Sequence, residues 1–289
     1  MRPISTEGFD RPRSVSAGAA PMLQWIGISD LVVDPSYQRP IVGRGRKNVD
    51  RIAKAFSWSC FAPVVVSPVE GGKFAVIDGQ HRTTAAALAG FDSVPCQVVV
   101  AAQHEQAAAF KAINGVTTPI SRMALHAAAL VAGETWAQKV AEVSECADVE
   151  LLRYPLPVDK QRPGQTMAVG AITQCLKRYG SDTVITALQC VTQTANNKPG
   201  MLSAQVIKAL CSVLHENQAW RDAGLVLLEG FDRIDLGKMQ AVASTRATAL
   251  GISRAQALAE QLQGELAKRL MRPNAPEAAP AKPRQAVAA

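Results

Sequence analysis

The segment that limits the fold most is an apolar strand pattern that runs directly into an Ala-rich helix. Residues 73–77 are mostly β-forming, Asp78-Gly79 is a turn dipeptide, and residues 80–89 have a helical composition that ends at Gly90. A strand, a tight turn and a helix in this order are typical of an α/β unit. The junction presents free backbone N–H groups and the positive end of a helix dipole, which favours phosphate as a ligand.

The polar side chains of this junction support the same interpretation. Arg82 can hold phosphate oxygens bidentately, and His81 can donate a hydrogen bond or move a proton. The hydroxyls of Thr83 and Thr84 can contact phosphate or cap the helix. The alternative is structural: Asp78 or Thr83 caps the helix, and Arg82 pairs with a nearby carboxylate.

The pattern along the chain predicts an α+β protein with two folded parts. Up to about residue 115 short β-branched runs alternate with helical patterns, whereas only helical patterns follow. We predict a small mixed sheet with helices in residues 21–118 and an all-helical domain in residues 119–271. The flanking residues 1–20 and 272–289 have the composition of disordered tails.

Individual elements can be assigned in both parts. Residues 63–66 and 73–77 flank Glu70-Gly71-Gly72 and predict a hairpin, and residues 94–100 form a third β-rich run. The helical patterns cover residues 49–56, 82–89, 103–113, 119–132, 135–147, 166–179, 182–194, 202–217 and 253–270.

The charge of the chain favours an anionic partner, because the formal net charge is +7. A basic run enters the first helical pattern. It can contact phosphates of DNA or of a nucleotide, and the alternative is a solvated helix face. The run contains no interleaved aromatic residues, and no base-reading element is evident, so we expect non-specific DNA binding. The residues assigned to DNA binding are Arg44, Arg46, Lys47 and Arg51.

Cysteine and histidine spacing indicates no metal or disulfide framework. The six cysteines include no CxxC pair, so they are expected to be buried reduced thiols, Cys60 and Cys96 among them. No apolar run approaches the length of a membrane span, and the first residues lack the apolar region of a secretory signal. A cytoplasmic protein without membrane contact is expected.

The run Val76-Ile77-Asp78-Gly79-Gln80-His81-Arg82 resembles the ParB/sulfiredoxin superfamily. Partition proteins of that superfamily carry Gly-Glu-Arg-Arg at this place and sulfiredoxins carry Gly-Cys-His-Arg, whereas the Asp-Gly-Gln-His-Arg form is similar to a third subgroup. Residues 34–40, residues 110–114 and residues 119–121 resemble the same superfamily in order and spacing. The resemblance covers residues 24 to about 130 and implies a nucleotide-binding domain with that fold.

This resemblance implies the positions of a nucleotide site. Gly79 to Arg82 would line a triphosphate, Gln38 and Arg39 would approach from the N-terminal side, and Asn114 would assist a metal-bound phosphate. The expected nucleotide-binding residues are Gln38, Arg39, Gly79, Gln80, His81, Arg82, Thr83, Thr84 and Asn114. The implied ligand is a nucleoside triphosphate, CTP or ATP, with Mg²⁺, and the metal ligands are unknown.

Two departures from the superfamily limit the expected chemistry. CTP-dependent partition proteins have a further box, Glu-Asn-x-Gln-Arg, whereas Ile113 precedes Asn114 here and the carboxylate and arginine are missing. Hydrolysis is therefore expected to be slow or absent, with Asp78 and His81 as the candidates that would position water. Gln80 replaces the nucleophilic cysteine of sulfiredoxins, which excludes their reaction.

Together these features predict a nucleotide-binding, DNA-associated ParB-like protein of bacterial or mobile-element origin, from a plasmid or phage. Bound nucleotide would bias the contact between domains or between the protomers of a homodimer. One alternative is a ParB-like metal-dependent nuclease, for which Asp78 is the single acid in the motif. The other is a regulatory or interaction module that has lost nucleotide binding.

A partition protein also needs a DNA-reading helix pair after this domain. Residues 247–254 have suitable Ala and Gly spacing for a helix-turn-helix, but Arg246 and Glu260 fall at positions that belong to apolar core residues. The alternative is an ordinary helix start capped by Ser253. A second candidate surrounds Tyr179-Gly180-Ser181.

Overall fold

A computed structural model describes residues 1–115 and 120–270. The chain divides into two units, Met1–Thr118 and Pro119–Ala289. Residues 1–21 are exposed and contain no helix or strand, and the predicted tail at residues 272–289 lies outside the described residues.

A five-stranded mixed sheet is the base of the first unit. The strands are β1 (Met22–Gly27), β2 (Leu31–Val32), β3 (Val64–Val69), β4 (Lys73–Asp78) and β5 (Ser93–Val98). They lie in the order β1-β5-β3-β4-β2. The predicted hairpin is confirmed, since β3 and β4 pair antiparallel, and β5 lies parallel to β3. The edge strand β1 pairs antiparallel with β5, and β2 pairs parallel with β4.

Three helices accompany this sheet: α1 (Arg44–Lys54), α2 (Gln80–Leu88) and α3 (Gln103–Gly115). The core of this unit is formed by β-branched and small side chains. Its buried members are Ile26, Val64, Val66, Val76, Ala86, Val94, Cys96 and Val98. The predicted mixed sheet with helices is confirmed.

Nine further helices make up most of the described part of the second unit. They are α4 (Arg122–Val131), α5 (Thr135–Glu145), α6 (Val169–Tyr179), α7 (Ser181–Thr192), α8 (Ala204–Glu216), α9 (Gln218–Arg221), α10 (Leu225–Asp232), α11 (Leu236–Leu250) and α12 (Arg254–Leu270). The core lies around α8 and α12, where Leu210, Leu214, Leu258 and Leu262 are almost completely buried. A helical second part is confirmed.

The prediction that this part is entirely helical needs one correction. Strands β6 (Glu150–Leu151) and β7 (Gln165–Thr166) form a small parallel ladder between α5 and α6. Pro155, Pro157 and Pro163 lie between the two strands, and proline in a helix interior removes a hydrogen bond and clashes with the preceding turn. The connecting segment is therefore extended, and its ends pair with each other.

The cysteines also need a correction. Four are buried, but Cys60 and Cys146 are exposed. Cys60 lies in the turn before β3 and Cys146 is the C-cap of α5, so the apolar residues beside them belong to neighbouring elements. No helix within residues 1–115 and 120–270 has both the length and the apolar character required for crossing a bilayer.

Candidate functional site

The centre of the candidate site is the turn from β4 to α2. Gly79 connects the two elements with φ at 109° and ψ at 10°, a backbone conformation that residues with a side chain rarely adopt. A Cβ atom at Gly79 would lie 3.2 Å from Val64 Cγ1 and 3.3 Å from Val64 Cα. Both conformation and space therefore require glycine at this position.

No side chain caps the N-terminus of α2 within the described structure. Thr83 donates its hydroxyl proton to the Gly79 carbonyl at 3.2 Å, and Thr84 donates to the Gln80 carbonyl at 2.9 Å. A hydroxyl has one proton, so neither threonine can donate to phosphate without giving up its helix contact. The N–H groups of the first turn, from Gln80 onward, have no intrahelical acceptor and are open to an anion.

Arg82 makes structural contacts. Its Nε donates to the Ala62 carbonyl at 3.1 Å, and its Nη2 donates to the Pro63 carbonyl at 3.3 Å. Nη2 also lies 3.1 Å from Asp78 Oδ2, in an ion pair whose side chains are 27% and 22% exposed. The structure thus contains an ion pair between Arg82 and a nearby carboxylate, as the structural alternative predicted. A bidentate phosphate contact through Nε or Nη2 would require Arg82 to release one of these partners. Nη1 makes no hydrogen bond to a described residue and is the nitrogen available to an anion.

His81 brings a second helix N-terminus to the site. A Cβ atom at Gly45 would lie 3.0 Å from His81 Nε2, so the imidazole rests against the first turn of α1. That helix follows Gly43, which has φ at 51° and provides no side-chain cap. Gly45 and His81 are each the second residue of their helix. The positive ends of two helix dipoles therefore lie side by side, and their fields add.

Basic side chains surround the start of α1. Arg39, Arg44, Arg46 and Lys47 are exposed, and none of them is in an ion pair with another described residue. Their charge is available to an incoming anion. The structure places the start of α1 beside His81, so Arg44, Arg46 and Lys47, predicted to contact DNA, also lie near the start of α2.

The loop before α1 is fastened to the sheet and to α3. Gln38 is buried, and its Nε2 donates to the carbonyls of Val76 at 2.6 Å and Ile77 at 3.0 Å. Both amide protons are therefore engaged with the end of β4, and Gln38 acts as a support for the neighbouring Arg39. Tyr37 donates to Gln106 Oε1 at 3.2 Å and holds the same loop against α3.

Asp34 begins this loop and forms a side-chain turn. Its Oδ1 accepts from the Ser36 N–H at 2.8 Å, and its Oδ2 accepts from Gln103 Nε2 at 2.8 Å. Hydrogen bonding from the Ser36 side chain, then from Gln103 and from the Ser36 N–H, holds the pKa of Asp34 below its usual value. Asp34 is therefore a structural residue of the loop.

The remaining predicted site residues lie apart from this centre. Asn114 is exposed in the last turn of α3 and donates to the Phe110 carbonyl at 3.0 Å. Among the described residues no hydrogen bond connects it to the start of α2. Arg51 is exposed on α1 and donates to Asn48 Oδ1 at 2.7 Å. The part of the chain described here contains no group of three His, Cys, Asp or Glu residues that could hold a metal ion.

The candidate helix pairs of the second unit have different geometries. Arg246 and Glu260 form an ion pair at 2.8 Å between α11 and α12, which explains their charged character. Ser253 accepts from the Gln256 N–H at 3.1 Å, so it caps α12 as the alternative interpretation expected. At the second candidate, α6 and α7 are separated by the single residue Gly180, with φ at 81°.

One family model matches part of the chain. Residues 24–115 match the family model of the ParB N-terminal domain. The fold is similar to a C-terminally truncated ParB from Caulobacter crescentus complexed with CTP-gamma-S, with 16% identity, 64% of this chain and 99% of that chain covered, and a TM-score of 0.37. The same bacterium's ParB complexed to the centromeric parS site has 14% identity and a TM-score of 0.27, and the match covers 82% of this chain and 97% of that chain. A pNOB8-like ParB N-domain has 15% identity and a TM-score of 0.30, and the match covers 87% of this chain and 98% of that chain. No curated protein matches the chain.

Proposed function

We propose that residues 24–115, which match the family model of the ParB N-terminal domain, bind a nucleoside triphosphate at the paired N-termini of α1 and α2. The observation that carries the proposal is the contact between Gly45 and His81, which joins two helix N-termini that no side chain caps. Backbone N–H groups and dipoles of this kind bind phosphate in many proteins. Two such ends together suit a ligand with several phosphates.

The residues of the site have distinct proposed roles. The N–H groups of Gln80, His81 and Arg82 bind one phosphate group, and Gly79 supplies the backbone conformation of the turn that precedes them. Arg39 and the basic side chains at the start of α1 neutralise the remaining charge. Arg82 contributes mainly by holding the turn in place, and its free Nη1 makes at most one contact with the ligand.

Mg²⁺ would enter this site together with the triphosphate. The ion is commonly bound by one or two carboxylates plus substrate phosphates, and Asp78 is the acid nearest to the start of α2. Its Oδ2 is paired with Arg82, so Oδ1 is the oxygen that fits such a contact. With so few acidic ligands we propose slow hydrolysis or none. A nuclease is disfavoured for the same reason, because the described residues hold no cluster of metal ligands.

The same unit is proposed to associate with DNA without sequence specificity. Arg44, Arg46, Lys47 and Arg51 lie on one helix and can contact phosphates. Phosphate contacts position a protein on DNA but read no sequence. The proposed function is therefore a nucleotide-responsive, DNA-associated module.

Gly45→Ala tests the nucleotide site with little risk to the fold. Ala is favoured over Gly in a helix by about 1 kcal/mol, but its Cβ would displace His81 from the α1 terminus. We expect weaker triphosphate binding by at least about 10-fold with unchanged or higher thermal stability. Calorimetric titration with CTP, ATP, GTP and UTP in the presence of Mg²⁺ measures this and identifies the base.

Gly264→Ala is the matched control, because it makes the same exchange in α12 with no atom within 4 Å of the new methyl group. It should leave nucleotide affinity unchanged. If no triphosphate binds to the unmodified chain, the nucleotide site is wrong and a module that has lost nucleotide binding becomes the better explanation. Equal affinity in Gly45→Ala would move the site away from the two helix ends.

A further inference from the structure

An exposed pair of tryptophans lies at one edge of the sheet. Trp25 belongs to the edge strand β1 and is 59% exposed, and Trp58, in the turn after α1, is 39% exposed. Their ring centroids are 5.2 Å apart with the planes at 74°. Trp58 also packs on Phe56 and Phe91 at 4.8 Å and 4.7 Å, so the pair rests on a rigid aromatic base. Contiguous exposed apolar surface of this kind is typical of a binding site.

A row of cations on α1 leads to these rings. Lys47, Arg51 and Lys54 are four and three residues apart and lie on one face of the helix, away from the buried Val49. The row is about 10 Å long. All three side chains are exposed and none forms an ion pair with a described residue. Trp58 lies four positions after Lys54 in the chain, which limits the distance between their backbones to about 14 Å.

We propose that this surface binds single-stranded nucleic acid, with phosphates along the cation row and a base stacked on Trp25. Cations and exposed aromatic faces together are what proteins use to hold single strands. A duplex would engage the cations but offers no free base face to the ring. A second copy of this chain is disfavoured because it would bring a second basic row against the first, and the net charge is +7.

The fold is needed to see this surface. The basic run of the sequence contains no aromatic residue, and Trp25 is far from it along the chain, but the sheet places β1 beside the turn that follows α1. The inference rests on the DNA-binding part of the proposed function and does not require that a nucleotide binds at the two helix ends.

Fluorescence anisotropy can test the proposal with an oligodeoxythymidylate of about 16 nucleotides and a duplex of equal length. Trp25→Ala should weaken single-strand binding at least about fivefold and leave duplex binding unchanged. Trp25→Phe keeps an aromatic face and should retain most of the affinity. The control is Leu23→Ala, because Leu23 is equally apolar, lies on the same face of β1 and is 75% exposed. It should bind like the unmodified chain.

The cation row is tested by a variant in which all three of its residues, Lys47, Arg51 and Lys54, are replaced by Ala. The slope of log affinity against log salt should become shallower by about 2, since each phosphate contact with a single strand contributes about 0.7. Circular dichroism of each variant confirms that the unit is folded.

Four results would overturn the proposal. The first is unchanged single-strand affinity in Trp25→Ala, or an equal loss in Leu23→Ala. The second is a dimer in sedimentation that Trp25→Ala dissociates without loss of single-strand affinity, which would assign the surface to a second copy. The third is absence of binding to either form of DNA, which also removes the DNA-binding part of the proposed function. Equal duplex and single-strand affinity, insensitive to Trp25, removes the single-strand assignment alone.

Discussion

Arg82→Ala should destabilise the first unit, because the guanidinium links the β4–α2 turn to the residues before β3. The substitution removes the bonds to the Ala62 and Pro63 carbonyls and leaves the Asp78 carboxylate without its partner. Bonds to charged groups contribute about 1.5–3 kcal/mol when protected from water. Because the Arg82 and Asp78 side chains are 27% and 22% exposed, the lower part of that range applies. We expect a loss of about 2 kcal/mol.

For a domain of this size such a loss corresponds to a decrease in Tm of about 10 °C. Chemical denaturation combined with peptide-level hydrogen exchange measures the change and assigns it to the first unit. Arg46→Ala is the control, since it removes the same charge from an exposed side chain without an ion pair, and it should stay within about 0.5 kcal/mol. Arg82→Lys should recover part of the loss.

A double-mutant cycle with Asp78→Ala isolates the ion pair, and its coupling free energy should be about 1 kcal/mol. The reasoning would be refuted if Arg82→Ala unfolded like the unmodified protein while triphosphate affinity fell by about 30-fold. In that case the guanidinium would contact the ligand rather than Asp78.

Further predictions concern the turn, the thiols and the loop. Gly79→Ala should lower stability by more than about 1 kcal/mol, measured by denaturation, because it adds a side chain at positive φ against Val64. Burial raises the pKa of Cys96 to about 11, so mass spectrometry after mild alkylation near neutral pH should find it unmodified, with the exposed Cys60 labelled. Asp34 has a folded pKa below its ordinary 3.8, so its contribution to stability is complete above that pH and is lost as the pH falls through the lower value. Acid denaturation of Asp34→Asn should lack that component.

The parts of the fold that could be predicted from the sequence are those whose contacts are local. The hairpin of β3 and β4 follows from two apolar runs around Gly71-Gly72, and α2 follows from its composition. The edge strand β1 was missed because four of its six residues are exposed, which gives no alternation of apolar and polar residues. The helix α11 was missed because its buried face consists largely of small residues such as Ala243 and Ala247.

Only one of the two helix N-termini of the candidate site could be predicted from the sequence. The turn at Gly79 could be recognised, and the spacing of Asp78 and Arg82 permitted the ion pair that the structure contains. The second helix end could not be recognised, since the contact of Gly45 with His81 joins residues far apart in the chain. Its one local signal is the pair of glycines that flank Arg44. Likewise, only the fold shows that Gln38 is buried against β4.

The nucleotide site and the cation row share helix α1, so their ligands should compete. Arg44 at the start of the helix lies one turn from Lys47, the first cation of the row, which is well within the distance of about 10 Å over which charges interact at moderate salt. A bound triphosphate therefore repels the strand phosphates nearest to it. Saturating CTP should weaken oligonucleotide binding about fivefold, and the oligonucleotide should weaken CTP binding by the same factor, since coupling of two binding equilibria is reciprocal. Anisotropy and calorimetric titrations measure the two directions separately. Gly45→Ala should no longer bind the triphosphate well, so CTP should leave the oligonucleotide affinity of this variant unchanged. If the oligonucleotide affinity of the unmodified chain is the same with and without CTP, the two sites do not interact through α1.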